Sequence, residues 1–263
     1  VPGSLKTLET QYPDAARYIK SNGYEQEDFT KPNVAIIAKA IALYNQRKAM
    51  GYYRPVTGTT ETFVERLNKG IVIAYDNRPN NIAYAKTIAR VLTAYGVKAV
   101  LARVDGKDAA VSVPAVSLMV KREGYAGSII LTASHNGDMW NGIKFETEEG
   151  GQALSPVTGA IGTILREELS LEQPNYLETE ESVDTLIARG TIATVDPVDY
   201  YVMSVLDFMG KDRVDIIRRA ISERNVSLKF SAFYGSSGVI MKKLFENLGL
   251  PAKDLIQGDK PGA

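Results

Sequence analysis

Within thirteen residues the chain places a serine hydroxyl (Ser134), its only imidazole (His135), two side-chain amides (Asn136 and Asn141) and an ammonium (Lys144). Two chemistries could use that set. Acyl transfer needs a base beside the serine, but adjacent residues of an extended loop point to opposite sides, which leaves His135 badly placed to deprotonate Ser134. No Gly-x-Ser-x-Gly turn surrounds the serine and the chain has no second histidine, so a hydrolase triad is disfavoured. Phosphoryl transfer asks for something else: a hydroxyl on a rigid loop, donors and cations to spread charge over the phosphoryl oxygens, and usually Mg2+. Loop amides, the Asn136 side chain and Lys144, arriving on a return strand, meet that need.

These residues must be held by something. Ser128-Ile129-Ile130-Leu131, bounded by Gly127, reads as a short buried strand that delivers Thr132-Ala133-Ser134-His135-Asn136 to a sheet edge, where α/β proteins build their sites. Upstream, Thr30-Lys31-Pro32-Asn33 offers a cap and an early proline for a helix over 32–48, and a shorter helix is expected near 61–67. From position 71 the chain alternates: strands over 71–75, 97–102, 129–131 and 142–146, with helices over 82–95, 114–123 and 156–168. That order predicts an α/β fold with a mixed, mostly parallel sheet sandwiched by helices. The acidic, polar stretch from Ser170 and the run through Gly190 to Pro197 read as connector. Helices over 198–209 and 214–222, a strand over 227–233, a glycine turn at Gly235–Gly238 and a helix ending near Gly249 then open a partial second α/β domain. The expected division is 1–190 and 191–263.

Composition narrows the partners. The formal net charge is zero, with 31 basic and 31 acidic residues, so no basic field argues for nucleic acid or an anionic membrane. Zero cysteines exclude disulfides, thiolate metal sites and a cysteine nucleophile, and no apolar stretch is long enough to span a bilayer; together these favour the cytoplasm. The chain starts Val1-Pro2-Gly3-Ser4 and ends Asp259-Lys260-Pro261-Gly262-Ala263 with no closing element, and it looks cut.

Thr132-Ala133-Ser134-His135-Asn136, with Asn141-Gly142-Ile143-Lys144 behind it, resembles the phosphoserine loop of the α-D-phosphohexomutases, the phosphoglucomutase and phosphomannomutase enzymes. Asp28-Phe29-Thr30 before the first helix, the Asp76-Asn77-Arg78-Pro79 turn, Gly151-Gln152 and the strand–turn–helix of Leu228–Gly249 are similar to family segments as well. The resemblance implies that Ser134 carries the phosphoryl group exchanged between the 1- and 6-positions of glucose or mannose phosphates through a bisphosphate. It further implies that the phosphate on Ser134 is one ligand of Mg2+, that Lys144 stabilises the group in transfer and that His135 assists at the serine. Asn136 and Arg78 are the candidates for binding the hexose phosphate. Arg78 has a second reading, favoured for a charge after a strand: an ion pair with Asp76 that holds the turn.

Departures from the family pattern are equally legible. The family loop continues with proline; here Gly137-Asp138-Met139-Trp140 follows, which frees φ at 137 and adds a carboxylate. The expected Gly-Thr-x-Gly-x-Arg signature is missing from Ala16–Gly23, leaving Arg17 and Lys20 as substitutes, and no Asp-Gly-Asp-x-Asp run exists; Asp105-Gly106-Lys107-Asp108 has the wrong spacing. The remaining Mg2+ ligands and the sugar-selecting domains are therefore expected in carboxy-terminal domains missing from this chain, which alone would be inactive. The alternative is a mutase-like domain that does not catalyse and binds a sugar phosphate or a protein partner.

Overall fold

The computed structural model describes residues 29–137, 140–169, 175–223, 228–233, 235–250 and 255–256. The expectations placed on Asp28, Arg17, Lys20, Asp138 and Met139 lie outside these residues. Strand β1 (Ile71–Tyr75) is apolar and buried at every position, so it must be covered on both faces. It pairs in parallel with β2 (Ala99–Ala102) on one side and β3 (Gly127–Leu131) on the other. β4 (Ile143–Thr147) adds antiparallel to β3, and β5 (Ala193–Val195) adds parallel to β2, giving the order β4-β3-β1-β2-β5.

Alternate side chains of the strands divide between two cores, as the pleat requires. Ile71, Ile73, Tyr75, Ile129 and Leu131 face the first, which is roofed by helices α1 (Lys31–Ala49), α3 (Asn81–Ala94) and α5 (Ser155–Leu169). Val72, Ala74 and Ile130 face the second, roofed by α4 (Val113–Glu123) and by Val198 at the start of α7 (Pro197–Met209). The predicted mixed sheet with a helical layer on each face is what the chain forms. Gly127 is required where β3 meets β4: its φ is +154°, and a Cβ there would sit 2.3 Å from the Glu146 carbonyl oxygen.

Helix α1 is buried on most of its surface between α3 and α5. Thr30 caps it by accepting the Asn33 N–H, and Pro32 lies in its first turn. Phe29 just ahead packs edge-on against Tyr84 of α3, whose hydroxyl donates to the Phe29 carbonyl at 3.0 Å. At the other end the buried Lys48 ammonium donates to both oxygens of Glu148 at 2.7 and 3.0 Å. The same carboxylate accepts the Val56 N–H at 2.6 Å, and Arg66 of α2 (Thr60–Lys69) donates to the Glu148 carbonyl at 3.0 Å. One buried ion pair thus pins the polar stretch after α1. Burial lowers the Lys48 pKa from its ordinary value, against the pull of Glu148.

Two elements in the expected connector are structured. Ser182 accepts the Thr185 N–H and starts the short α6 (Val183–Ala188), whose Leu186 is in the first core. β5 then closes the sheet edge, and its Val195 carbonyl accepts the Arg103 N–H at 2.8 Å. A division at residue 190 therefore cuts off a strand of the first sheet. β5 has three residues, none fully buried, so it carries neither the length nor the alternation that marks a strand in sequence. Beyond it α7, α8 (Lys211–Ser222) and α9 (Ser237–Leu248) enclose a third apolar cluster built on Val202, Leu206, Val214 and Phe245. The strand expected over 227–233 is β6 (Phe230–Ser231), paired in parallel with β7 (Leu255–Ile256). α7 serves two cores, Val198 in the second and Val202 and Leu206 in the third.

Candidate active site

The connection from β1 to β2 runs through α3 on one face of the sheet, and that from β2 to β3 through α4 on the other. The chain leaving β1 crosses to β2 on one side and the chain leaving β3 turns to β4 on the other, so their loops part company at the carboxyl ends of two neighbouring strands, the crevice where open α/β sheets place ligands. The β1 loop carries Asp76, Asn77 and Arg78; the β3 loop carries Thr132 to Asn141. Strand pairing alone brings together residues more than 50 positions apart.

Arg78 joins the two loops. Its Nε donates to Asp76 Oδ2 at 3.0 Å. Nη2 donates to the carbonyls of Ser134 and Asn136 at 3.1 and 2.8 Å, and Nη1 to those of Trp140, at 2.8 Å, and Gly137. All five guanidinium donors are engaged, four of them on one loop. The structural reading of the Asp76–Arg78 turn fits this arrangement, and in it no donor is left for a substrate phosphate.

A second tie was not legible as such. Asn81, buried at the first position of α3, donates to Asp76 Oδ1 at 2.9 Å and to the Leu131 carbonyl at 3.2 Å. Its Oδ1 accepts from Asn141 Nδ2 at 2.7 Å, while Asn141 Oδ1 accepts the Gly142 N–H at 2.9 Å. The only sequence signal was the Asn80-Asn81 pair after an Asp-x-Arg-Pro turn, and Asn80 takes φ 65° to make that corner.

Ser134 sits in the left-handed region at φ 58°. Its N–H donates to the buried Thr132 hydroxyl at 2.9 Å, and its own Oγ, exposed to solvent, accepts a hydrogen bond from Lys144 Nζ at 2.8 Å. Lys144 reaches it from β4, opposite Ile130. His135 and Asn136 are exposed beside it. No base among the described residues is bonded to the Ser134 hydroxyl; its partner is an ammonium. Two positions along β4, Glu146 is buried and accepts from Ser117 Oγ at 2.6 Å and Ser128 Oγ at 2.7 Å. Burial raises its pKa, opposed by those two hydroxyls and by Lys144.

A hard divalent cation takes six or more oxygens. Among the described residues no group of three His, Cys, Asp or Glu is placed to hold a metal. Asp105 and Asp108, the nearest sequence approach to an aspartate loop, are engaged elsewhere: Asp105 with Lys243 at 2.6 Å, Asp108 with Lys86 at 2.7 Å and Arg103 at 2.9 Å. The described residues do not fit a Mg2+ site by themselves; Ser134 could contribute only through a phosphate on its oxygen. At Gly235–Gly238 the backbone makes the tight turn, with Gly235 N–H donating to Ala232 O at 2.8 Å and Gly238 N–H to Gly235 O at 3.1 Å. No described helix is long and apolar enough to cross a membrane.

A profile of the family described as Phosphoglucomutase/phosphomannomutase, alpha/beta/alpha domain I, matches residues 22–172. The chain is 28% identical over 243 residues to the phosphoglucomutase of Schizosaccharomyces pombe, an alignment covering 88% of this chain and 42% of that one. Phosphoglucomutase-1 of Dictyostelium discoideum is 31% identical over 204 residues, 71% of this chain and 33% of its own. Among solved structures, the exocytosis-sensitive phosphoprotein pp63/parafusin of Paramecium, a phosphoglucomutase in its open form, shares the fold. The TM-score is 0.64 at 20% identity, over 89% of this chain and 41% of that one. The chain spans less than half the length of these relatives. With more than half of its length matched by the model of the family's domain I, this chain is a member of the phosphoglucomutase/phosphomannomutase family.

Proposed function

We propose that the chain is the phosphoryl-carrying part of a mutase that interconverts hexose 1-phosphate and hexose 6-phosphate, of glucose or mannose, with Ser134 as the carrier. The observation that carries this reading is the exposed Ser134 hydroxyl, fixed on a strained turn and hydrogen-bonded to Lys144 at 2.8 Å. An ammonium beside a hydroxyl does not help it attack an acyl carbon, because it takes no proton from it. It does stabilise the same oxygen as it leaves or attacks phosphorus, where negative charge accumulates.

In the first half-reaction a hydroxyl of the hexose monophosphate attacks the phosphorus on Ser134. The sugar O–P bond forms, the Oγ–P bond breaks, and the hydroxyl proton ends on Oγ. The resulting bisphosphate turns over in the site. Ser134 Oγ then attacks the other phosphorus and its proton passes to the departing sugar oxygen, leaving the isomeric monophosphate and a phosphorylated enzyme. Lys144 neutralises Oγ in both directions. His135, exposed next to the serine, and Asn136 lie on the side open to substrate. A Mg2+ requirement would draw its other ligands from outside the described residues.

The test is mutase turnover by the protein at its native length. Ser134→Ala abolishes it, and Lys144→Met lowers kcat by about 10²–10³-fold, the usual effect of deleting one group that stabilises transition-state charge. Full turnover in Ser134→Ala would refute the assignment.

A further inference from the structure

A trans peptide carries its C=O and its N–H on opposite edges of one plane. The described residues contain no cis peptide bonds. When Arg78 draws the carbonyls of Ser134 and Asn136 toward its guanidinium, it turns the N–H groups of the following residues, His135 and Gly137, the other way. The guanidinium is on the inner side, its side chain 8% exposed. Ser134, His135, Asn136 and Gly137 are exposed. The two N–H groups therefore point away from the guanidinium, toward solvent, and among the described residues neither donates to an oxygen. The Asn136 N–H between them is already bonded to the Ala133 carbonyl at 3.2 Å.

Resting on the phosphoserine reading above, we infer that the backbone amides of His135 and Gly137 are donors to the phosphoryl group on Ser134, and that Arg78 is the positioning residue that presents them. A phosphoryl group offers three charged oxygens, and amides held by their surroundings stabilise such charge without reorganising during transfer. Lys144 covers the ester oxygen; the two amides reach two of the other three. Arg78 thus acts on the phosphate through the loop's peptides and never touches it. The inference gives position 137 a role. Glycine there supplies an N–H that a proline would lack. A Cβ at Gly137 would meet nothing within 4 Å, and its φ lies outside the left-handed region.

The experiment compares Gly137→Pro, which removes the N–H, with Gly137→Ala, which keeps it, in the protein at its native length. Loss of a hydrogen bond to a charged group should make kcat of Gly137→Pro about tenfold lower than that of Gly137→Ala, with KM changed by less than about threefold. Arg78→Lys, which cannot bridge four carbonyls, should lower kcat by about 100-fold. Guanidinium ion should restore at least about tenfold of the activity lost in Arg78→Ala, whereas sodium chloride at the same ionic strength should not. Equal kcat in the two Gly137 variants overturns the role of that amide. Should Gly137→Pro lose its thermal transition, the guanidinium rescue decides, and its failure overturns the positioning role. Intact mass of the wild-type protein separates this from the reading beneath it. Absence of phosphoryl on Ser134 sinks both; its presence with equal Gly137 variants sinks the inference alone.

Discussion

Ser134 holds a left-handed backbone that costs a residue with a Cβ about 1–2 kcal/mol. It persists because three partners determine it together: Thr132 accepts its N–H, Arg78 binds its carbonyl and Lys144 binds its hydroxyl. Behind this arrangement Glu146 is a buried carboxyl whose pKa is raised above 4.5 by burial. A raised carboxyl pKa means that the folded state holds its proton longer than the unfolded one. Its contribution to stability is complete below the unfolded value of 4.5 and is lost as pH rises through the folded pKa. Glu146→Gln has no such proton to lose. Chemical denaturation from pH 4 to 8 should therefore show Glu146→Gln gaining stability relative to wild type as pH rises above about 4.5, then levelling off; a pH-independent difference would contradict this. At this scale the pairing of Ser134 with Lys144 was legible from types and a ten-residue spacing, and their side chains do meet at 2.8 Å. Glu146 passed unnoticed. A glutamate in a strand normally faces solvent, and only the pairing of β3 with β4 sets it against Ser128 and Ser117.

Elements were legible in proportion to their length and periodicity. Helices α1, α3, α4, α5 and α7 and strands β1 to β4 form within a few residues of where apolar spacing put them. α6 and β5, six and three residues long, gave no periodic signal. Ion pairs between elements were invisible for another reason: Lys48 and Glu148 are 100 positions apart, and each alone reads as surface. Together they tie α1 to the end of β4 and hold the Val56 N–H. Lys48→Met would keep the volume but leave the Glu148 carboxylate buried without its cation, at a loss of roughly 3–5 kcal/mol. Urea unfolding measures it; a loss below about 1 kcal/mol would show that the pair behaves like an exposed surface pair.

At the scale of the molecule, the sheet is mostly parallel, as the alternation of strands and helices implied, and the loops carrying Arg78 and Ser134 leave the carboxyl ends of its neighbouring strands β1 and β3. The expected division at 190 falls ahead of 193–195, which the first sheet takes as its last strand, and α7 is shared between two clusters. No reading of a single segment could have found this, because edge membership is a property of the assembled sheet. The central claim, that Ser134 is a phosphoryl carrier, is tested most directly by incubating the protein at its native length with a hexose 1,6-bisphosphate and mapping its mass. One added phosphoryl group is expected, located on Ser134, absent from Ser134→Ala and discharged by hexose monophosphate. A protein that gains no phosphoryl group, or carries it on another residue, would contradict it.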